Sequence, residues 1–320
     1  MIYPDNFEQK IGFNEIRNML RERCLSTLGK EQVEKMAFSD DAEQVNEWLK
    51  QVREFRRLIL EVEDFPLQYF YDVSVSIVHM RNENITLEEN ELFDLRRSLS
   101  TIDSIVKILN HSDEDESHAE ENDGWRREKK YTYPSLHLLA KDIVTFPQIV
   151  QRIDQILDKF GKIRDNATPE LLQIRRELAK TEGSISRTLY SILRSAQSEG
   201  VVEKDVTPTL RDGRLVIPVI PTLKKKIKGI VHDESATGKT VFIEPTEVVE
   251  ANNRVRELEG EERKEIIRIL TQFTNKLRPY TREIMDSYRF LAKIDLIQAK
   301  QKLAEIQKAI EPEVEDHPHI

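Results

Sequence analysis

Apolar residues recur every three or four positions through most of the chain, the spacing that gives an α-helix one apolar stripe. Phe7, Ile11, Ile16, Met19 and Leu20 open the pattern, and Val33 and Met36 continue it after Leu28-Gly29. Val45, Leu49, Val52, Phe55 and Leu58-Ile59 form a further stripe, so two or three helices are expected over residues 7–60. Asp40 or Asp41 is placed to cap the helix that carries Trp48. Residues 63–71, around Pro66, read as an aromatic loop, and 77–109 as helix, with Thr86-Leu-Glu-Glu in capping-box spacing. Periodicity resumes at Pro147 and becomes regular after Thr168-Pro169-Glu170. There a hydroxyl can cap, proline takes the first helical position where its missing N–H costs nothing, and a carboxylate faces the positive helix end. Leu171, Ile174, Leu178, Thr181, Ile185 and Ile192 then follow a coiled-coil-like seam. A helix from Pro169 to about Ser198 is expected to run about 45 Å. Val248, Val255, Leu258, Ile266, Ile269, Phe273 and Leu277 repeat the seam as far as Pro279, interrupted by Glu261-Glu262. Ile284, Tyr288, Leu291, Ile294, Ile297, Leu303 and Ile306 describe one more helix before an acidic, proline-containing tail.

Between the two long seams, residues 205–245 change period from helical to alternating. Asp212-Gly213 is a two-residue hairpin signal between expected strands at 207–210 and 215–220, because a primed turn needs positive φ at its centre. Strands at 226–232 and 239–243 complete a small antiparallel sheet, with Pro218 and Pro221 marking the second strand as an edge. The expected fold is mostly α: a helical core bundle (1–165), an ascending helix (166–204), a β tip (205–245), a descending helix (246–278), a helix returning to the core (279–310) and a linker segment (311–320). The two long helices form an antiparallel pair tipped by the sheet.

Composition sharpens this. One third of the residues are charged, hydrophobics reach only 38%, and there are 10 glycines, which favours long exposed helices over a compact α/β enzyme. The net charge of −9 repels nucleic acid, so any such binding rests on a local basic patch. Arg211, Arg214, Lys224, Lys225, Lys226, Lys228 and Lys239 supply one, a surplus of four positive charges over residues 211–239. They are the candidate nucleic-acid-binding residues; the competing role for lysines on exposed strands is to block edge-to-edge pairing. Without stacking aromatics or a base-reading helix, contact with phosphates is expected to be indifferent to sequence.

Residues 113–123 carry seven acids and are followed by Trp125-Arg-Arg-Glu-Lys-Lys130 of opposite sign, the signature of a solvated loop. His111, His118 and His137 match no metal-ligand spacing. A single cysteine, Cys24, excludes an internal disulfide framework, no apolar run approaches a membrane span, and the N-terminus lacks a signal pattern, so a cytoplasmic location is expected. Ala236-Thr-Gly-Lys-Thr240 has the end of a phosphate-binding loop, but Asp233 stands where that loop needs its first glycine and a strand follows where a helix must open. With no hydrolytic triad, paired carboxylates or metal cluster in view, the chain is expected neither to be catalytic nor to hold a cofactor.

Lys228–Pro245, together with Arg214–Val219 before it and Val248–Asn253 after it, resembles the clamp of the MutS family. The branch it is most similar to is the bacterial one associated with limiting recombination and rescuing stalled ribosomes. Ile163–Leu171 and Ser26-Thr-Leu-Gly29 agree as well. The resemblance implies a core, two lever helices and a β clamp that grips branched or duplex DNA, or ribosomal RNA. It also implies an ATPase domain using ATP and Mg, through which the parent protein forms a homodimer, and a terminal nuclease domain. Both are expected beyond Glu311–Ile320, in a longer parent of which this chain is a portion. Phe242-Ile-Glu244 has the form with which mismatch readers wedge a base, but an ordinary strand end is the reading favoured here. A helical scaffold whose tip docks a protein partner is the alternative function.

Overall fold

The computed structural model describes residues 6–69, 71–112 and 130–316. Mostly α, with one four-stranded antiparallel sheet, it divides into two compact units, one of Met1–Lys162 with Phe273–Ile320 and one of Ile163–Gln272. The acidic block at 113–123, the basic residues up to Lys129, and His118 lie outside the described residues.

The larger unit contains α1 (Phe7–Lys10), α2 (Phe13–Arg23), α3 (Thr27–Glu34), α4 (Ala42–Glu61), α5 (Ser74–His79), α6 (Glu89–Leu109), α7 (Pro134–Ala140) and α8 (Pro147–Ile156). Asp41 makes the expected cap, its carboxylate accepting from Glu43 N at 3.0 Å and Gln44 N at 3.1 Å. The helix expected over 77–109 is in fact two. Arg278 holds the intervening loop open, its guanidinium donating to the carbonyls of Met80, Asn82, Glu83 and Ile85. Thr86 is not the cap. Leu87 N is tied to Thr274 Oγ1 at 3.1 Å, so the helix starts two residues later, where Glu88 N donates to Glu91 at 2.8 Å in a capping box. The short α7 carries too few periodic positions to stand out in the sequence; the Glu54 carboxylate accepts from its first amides, Ser135 N and Leu136 N. The last helix, α11 (Thr281–Gln307), packs against α2, α3, α4 and α5.

The smaller unit holds α9 (Pro169–Ser198), the sheet and most of α10 (Thr246–Leu277). Thr168 Oγ1 accepts from Leu171 N at 3.1 Å, so the sequence-level start signal of α9 works as read. One apolar cluster runs from Ile185, Leu189 and Leu193 of α9 through the sheet to Val248 and Val255 of α10. Beyond it the helix pair is joined by polar contacts: Arg254 to Glu177 at 2.9 Å, Arg175 to Glu262 at 2.7 Å and Thr168 to Glu265 at 2.7 Å. The Glu261-Glu262 interruption is therefore an ion-paired layer. Arg175 also donates to Ile163 O and Asp165, which ties the Ile163–Leu171 segment to the first turns of α9.

Candidate nucleic-acid interface

Four strands build the tip: β1 (Thr209–Arg211), β2 (Arg214–Val219), β3 (Gly229–Glu234) and β4 (Val241–Pro245), in the order β1-β2-β4-β3. Asp212 and Gly213, with φ of 48° and 71°, form the primed turn between β1 and β2. Contrary to the sequence reading, β2 is not an edge: β1 pairs with it over 214–216 and β4 over 217–219. Pro218 is tolerated because β1 stops short of it and leaves only β4 alongside. The true edges are β1 and β3.

All five residues of β4 are buried, including Glu244. Its carboxylate accepts from Arg214 Nη1 at 2.7 Å, from Asn252 Nδ2 at 2.7 Å and from His232 Nε2. The histidine gets there because β3 bulges between Val231 and Asp233, so His232 is the extra residue and its ring is re-aimed inward. Burial disfavours a charged Glu244, but the hydrogen bonds from Asn252, His232 and Arg214, with the charge of Arg214, hold its carboxyl below the usual range. Gly229 matters here too: a Cβ on it would overlap Glu244 O, so glycine lets β3 approach β4.

This network divides the seven candidate cations. Arg214 is spent on Glu244 and on Asn253 Oδ1 at 2.7 Å, with only 13% of its side chain exposed. Arg211 lies over the Phe242 ring at 4.2 Å and 3.8 Å from Asp233. Lys224, Lys225 and Lys226 follow one another on a 3-10 turn, Pro221–Lys226, that carries the chain from the end of β2 back to the start of β3. Lys228 precedes β3, and Lys239 sits in the β3–β4 turn at the opposite strand end. Those five lysines are exposed, and none has a carboxylate at ion-pair distance among the described residues. Sequence charge alone could not separate the two engaged arginines from the five free lysines, because the partner carboxylate is 30 residues from Arg214.

The other two motif-like stretches are structural. Residues 235–240 close a hairpin turn on themselves, with Gly238 N donating to Ser235 O at 2.7 Å and Thr240 N to Ser235 Oγ at 3.0 Å. Phe242 is 6% exposed under Arg211, which leaves no free ring to wedge into a base stack. Leu210, Ile220, Ile230 and Val231 also stand exposed on the tip, a feature the alternation pattern did not single out. His137 is accounted for by Asn110 Oδ1 at 2.8 Å from its Nδ1 and by stacking on Tyr131. No helix among the described residues is long and apolar enough to cross a membrane.

No protein-family model matches the chain. It is similar to proteins named Endonuclease MutS2: 32% identical over 96% of this chain to that of Geobacillus sp. (strain WCH70), and 34% over 96% to that of Levilactobacillus brevis. The Enterococcus faecalis protein of the same name is 29% identical over 97% of the chain. In each case the chain spans only 37% of the relative's own length. Similarity of this extent supports a MutS2-type family.

Proposed function

We propose that this chain is the core, lever and clamp portion of a MutS2-type protein acting in DNA recombination or repair, and that its β tip grips the phosphate backbone of duplex or branched DNA, or of ribosomal RNA. The observation that carries the reading is the set of five unpaired, exposed lysines on a tip whose two arginines are already satisfied. An unpaired cation keeps its full hydration in the free protein and exchanges it, with counterion release, for a phosphate. Lys224, Lys225, Lys226 and Lys228 form one group and Lys239 a second, separated by β3, about 17 Å of strand. Glu244 and its partners fix the strands that carry both groups. In this reading α9 and α10 are the lever. In the same reading, ATP hydrolysis, nuclease chemistry and homodimer formation are assigned to the remainder of a longer parent protein.

The test is fluorescence anisotropy of the chain with labelled duplex DNA, branched DNA and structured RNA over a range of salt, beside a Lys224/Lys225/Lys226→Glu variant. Salt-sensitive binding that the variant loses is the expected result and ranks the ligands. Equal binding by both proteins would remove the tip from the interface. A second reading, docking of a protein partner at the tip, is favoured by exposed Leu210, Ile220, Ile230 and Val231. It predicts binding that survives raised salt and is lost in an Ile230→Asp/Val231→Asp variant.

A further inference from the structure

The lysines of the tip are not the only unpaired cations among the described residues of the smaller unit. Along α9, Arg176, Lys180, Arg187 and Arg194 are all exposed. At about 100° per residue they fall within about 40° of one helix face. The buried residues of the same helix, Leu171, Ile185, Leu189, Leu193 and Ala196, occupy the opposite face. Glu170 and Glu182 lie about 80° or more from every member of the stripe; Glu177 stands about 60° from Lys180, in the i,i+3 position, but is engaged by Arg254. None of the four has a carboxylate partner among the described residues; Arg187 donates only to Gly183 O of its own helix, at 3.2 Å. Gly183 and Tyr190 are the other exposed residues within this face, and Tyr190 is 46% exposed.

On the neighbouring helix half of the cations are engaged: Arg254 with Glu177, Glu257 and Glu261, Arg268 with Glu265 and Glu170, and Arg256 with Asp212 O, while Arg263, Lys264 and Lys276 are exposed. The ion pairs that join the two helices engage Arg175 and Arg254, whereas all four cations of the α9 stripe are left without a carboxylate partner among the described residues. Solubility does not require this arrangement, since helix surfaces are ordinarily mixed in sign and gain a few tenths of a kcal/mol from each i,i+4 pair.

We infer that the outer face of α9 is a second phosphate-contacting surface, along which a nucleic-acid backbone lies while the tip holds it elsewhere. It rests on the nucleic-acid reading of the tip for the class of ligand and on its own geometry for the site. From Arg176 to Arg194 the stripe extends about 27 Å at about 1.5 Å per residue, the rise of about eight base-pair steps at about 3.4 Å each. Three of the four cations are arginines, whose planar guanidinium grips phosphate bidentately. With no groove-entering element on this face, the contact reads charge and not sequence.

The experiment uses the whole chain and a labelled DNA duplex of about 30 base pairs, longer than the stripe. Affinity is measured against salt for four proteins: wild type, the tip variant above, a stripe variant (Arg176→Gln, Lys180→Gln, Arg187→Gln, Arg194→Gln) and a control with Lys30, Lys50, Lys141 and Lys293 changed to Gln. Circular dichroism checks that the helices persist, which the exposure of every changed side chain leads us to expect. Loss of four phosphate contacts lowers the slope of log K on log salt by up to about 3.6, at about 0.9 per contact. The stripe variant shows that fall and the control does not. A stripe variant with wild-type slope, beside a tip variant that has lost binding, overturns the α9 surface and leaves the tip reading intact. The reverse pattern sustains α9 and overturns the tip. Absence of duplex binding by the wild-type chain overturns both.

Discussion

Each unit contains a carboxylate with no solvent exposure, and the two are satisfied in opposite ways. Glu244, in the smaller unit, is met by side chains, two of them cationic or able to become so. Asp295, on α11 of the larger unit, is met mainly by backbone. Leu25 N donates at 2.9 Å, Ser26 N at 2.9 Å and Ser26 Oγ at 2.8 Å, and the same Ser26 oxygen accepts from Gly29 N at 2.8 Å to cap α3. Gly29 has no room for a Cβ, which would overlap the Asp295 carboxylate. One site therefore pins loop to helix through amides that any sequence possesses, whereas the other pins strand to strand through charges that only particular residues supply. The first kind should respond to loss of the acceptor and the second to loss of charge.

The comparison breaks first, and hardest, at Asp295. Asp295→Ala strands two backbone amides and a hydroxyl in the interior, and each orphaned donor costs about 1–3 kcal/mol. A loss of about 4 kcal/mol is expected in urea unfolding, large against a typical total of about 5–15 kcal/mol. Cys24 gives an independent readout. Burial, and then the charge of Asp295, push its thiol up to about 12, so at about pH 8 it should resist alkylation in the native protein far more than an ordinary thiol. In Asp295→Ala the labelling rate should rise at least tenfold. Unchanged labelling together with a cost below about 1 kcal/mol would show that the amides are satisfied without the carboxylate.

Glu244→Gln keeps the shape and removes the charge. Its expected cost is about 2 kcal/mol, below the range for breaking a fully buried pair because Arg214 and His232 retain some contact with water. The pH dependence separates this from a packing defect. The folded Glu244 carboxyl titrates below its usual value, so its contribution is present above the unfolded value, about 4.5, and is lost as pH falls from there through the folded value. The gap between wild type and Glu244→Gln should therefore narrow as pH falls below about 4.5, when both are unfolded by urea. A constant gap would mean that charge is not what holds the bulge.

How far these sites were legible follows from sequence separation. The start of α9 was legible because its cap, proline and acid stand within three residues, and the Asp212-Gly213 turn because both central residues carry the signal. Strand order was not: Pro218 marks a place with one neighbour, and only the register shows that β1 stops before it. Asp295 lies 270 residues from Leu25, beyond any local pattern, and Ser26-Thr-Leu-Gly29 carried a resemblance without its reason. The stripe on α9 was legible in principle from helical period, but Glu170, Glu177 and Glu182 dilute it in any linear count of charge. Division of the tip cations into engaged arginines and free lysines needed three-dimensional partners.

A smaller effect tests the turn that sets the register beside Glu244. Gly213→Ala puts a Cβ on a residue at φ 71°, where it would meet only the Arg256 guanidinium, at an ordinary contact distance of 3.9 Å. Strain of about 1 kcal/mol is expected, the usual cost of left-handed backbone in a residue with a Cβ. Gly213→Asn, which tolerates that conformation better, should recover part of it. Equal costs for the two would show that left-handed strain is not the source of the effect, since a less flexible unfolded chain favours folding in both variants.

The smallest expected effect is the most informative about function. Lys224, Lys225 and Lys226 touch no carboxylate among the described residues and leave no polar group buried, so reversing them removes no favourable pair and relieves their mutual repulsion. Urea unfolding of Lys224/Lys225/Lys226→Glu should match wild type within about 0.5 kcal/mol. Urea is the right denaturant, since guanidinium is itself a salt and would screen the charges in question. Arg214→Gln, one residue of the same tip, should by contrast cost about as much as Glu244→Gln, because it leaves that buried carboxylate without its arginine partner. If the lysine variant loses nucleic-acid binding at unchanged stability while Arg214→Gln loses stability, the two groups of cations are separated by experiment as they are by geometry. If instead the lysines prove as costly to the fold as Arg214, their charge is structural, and the case for the tip as an interface fails with it.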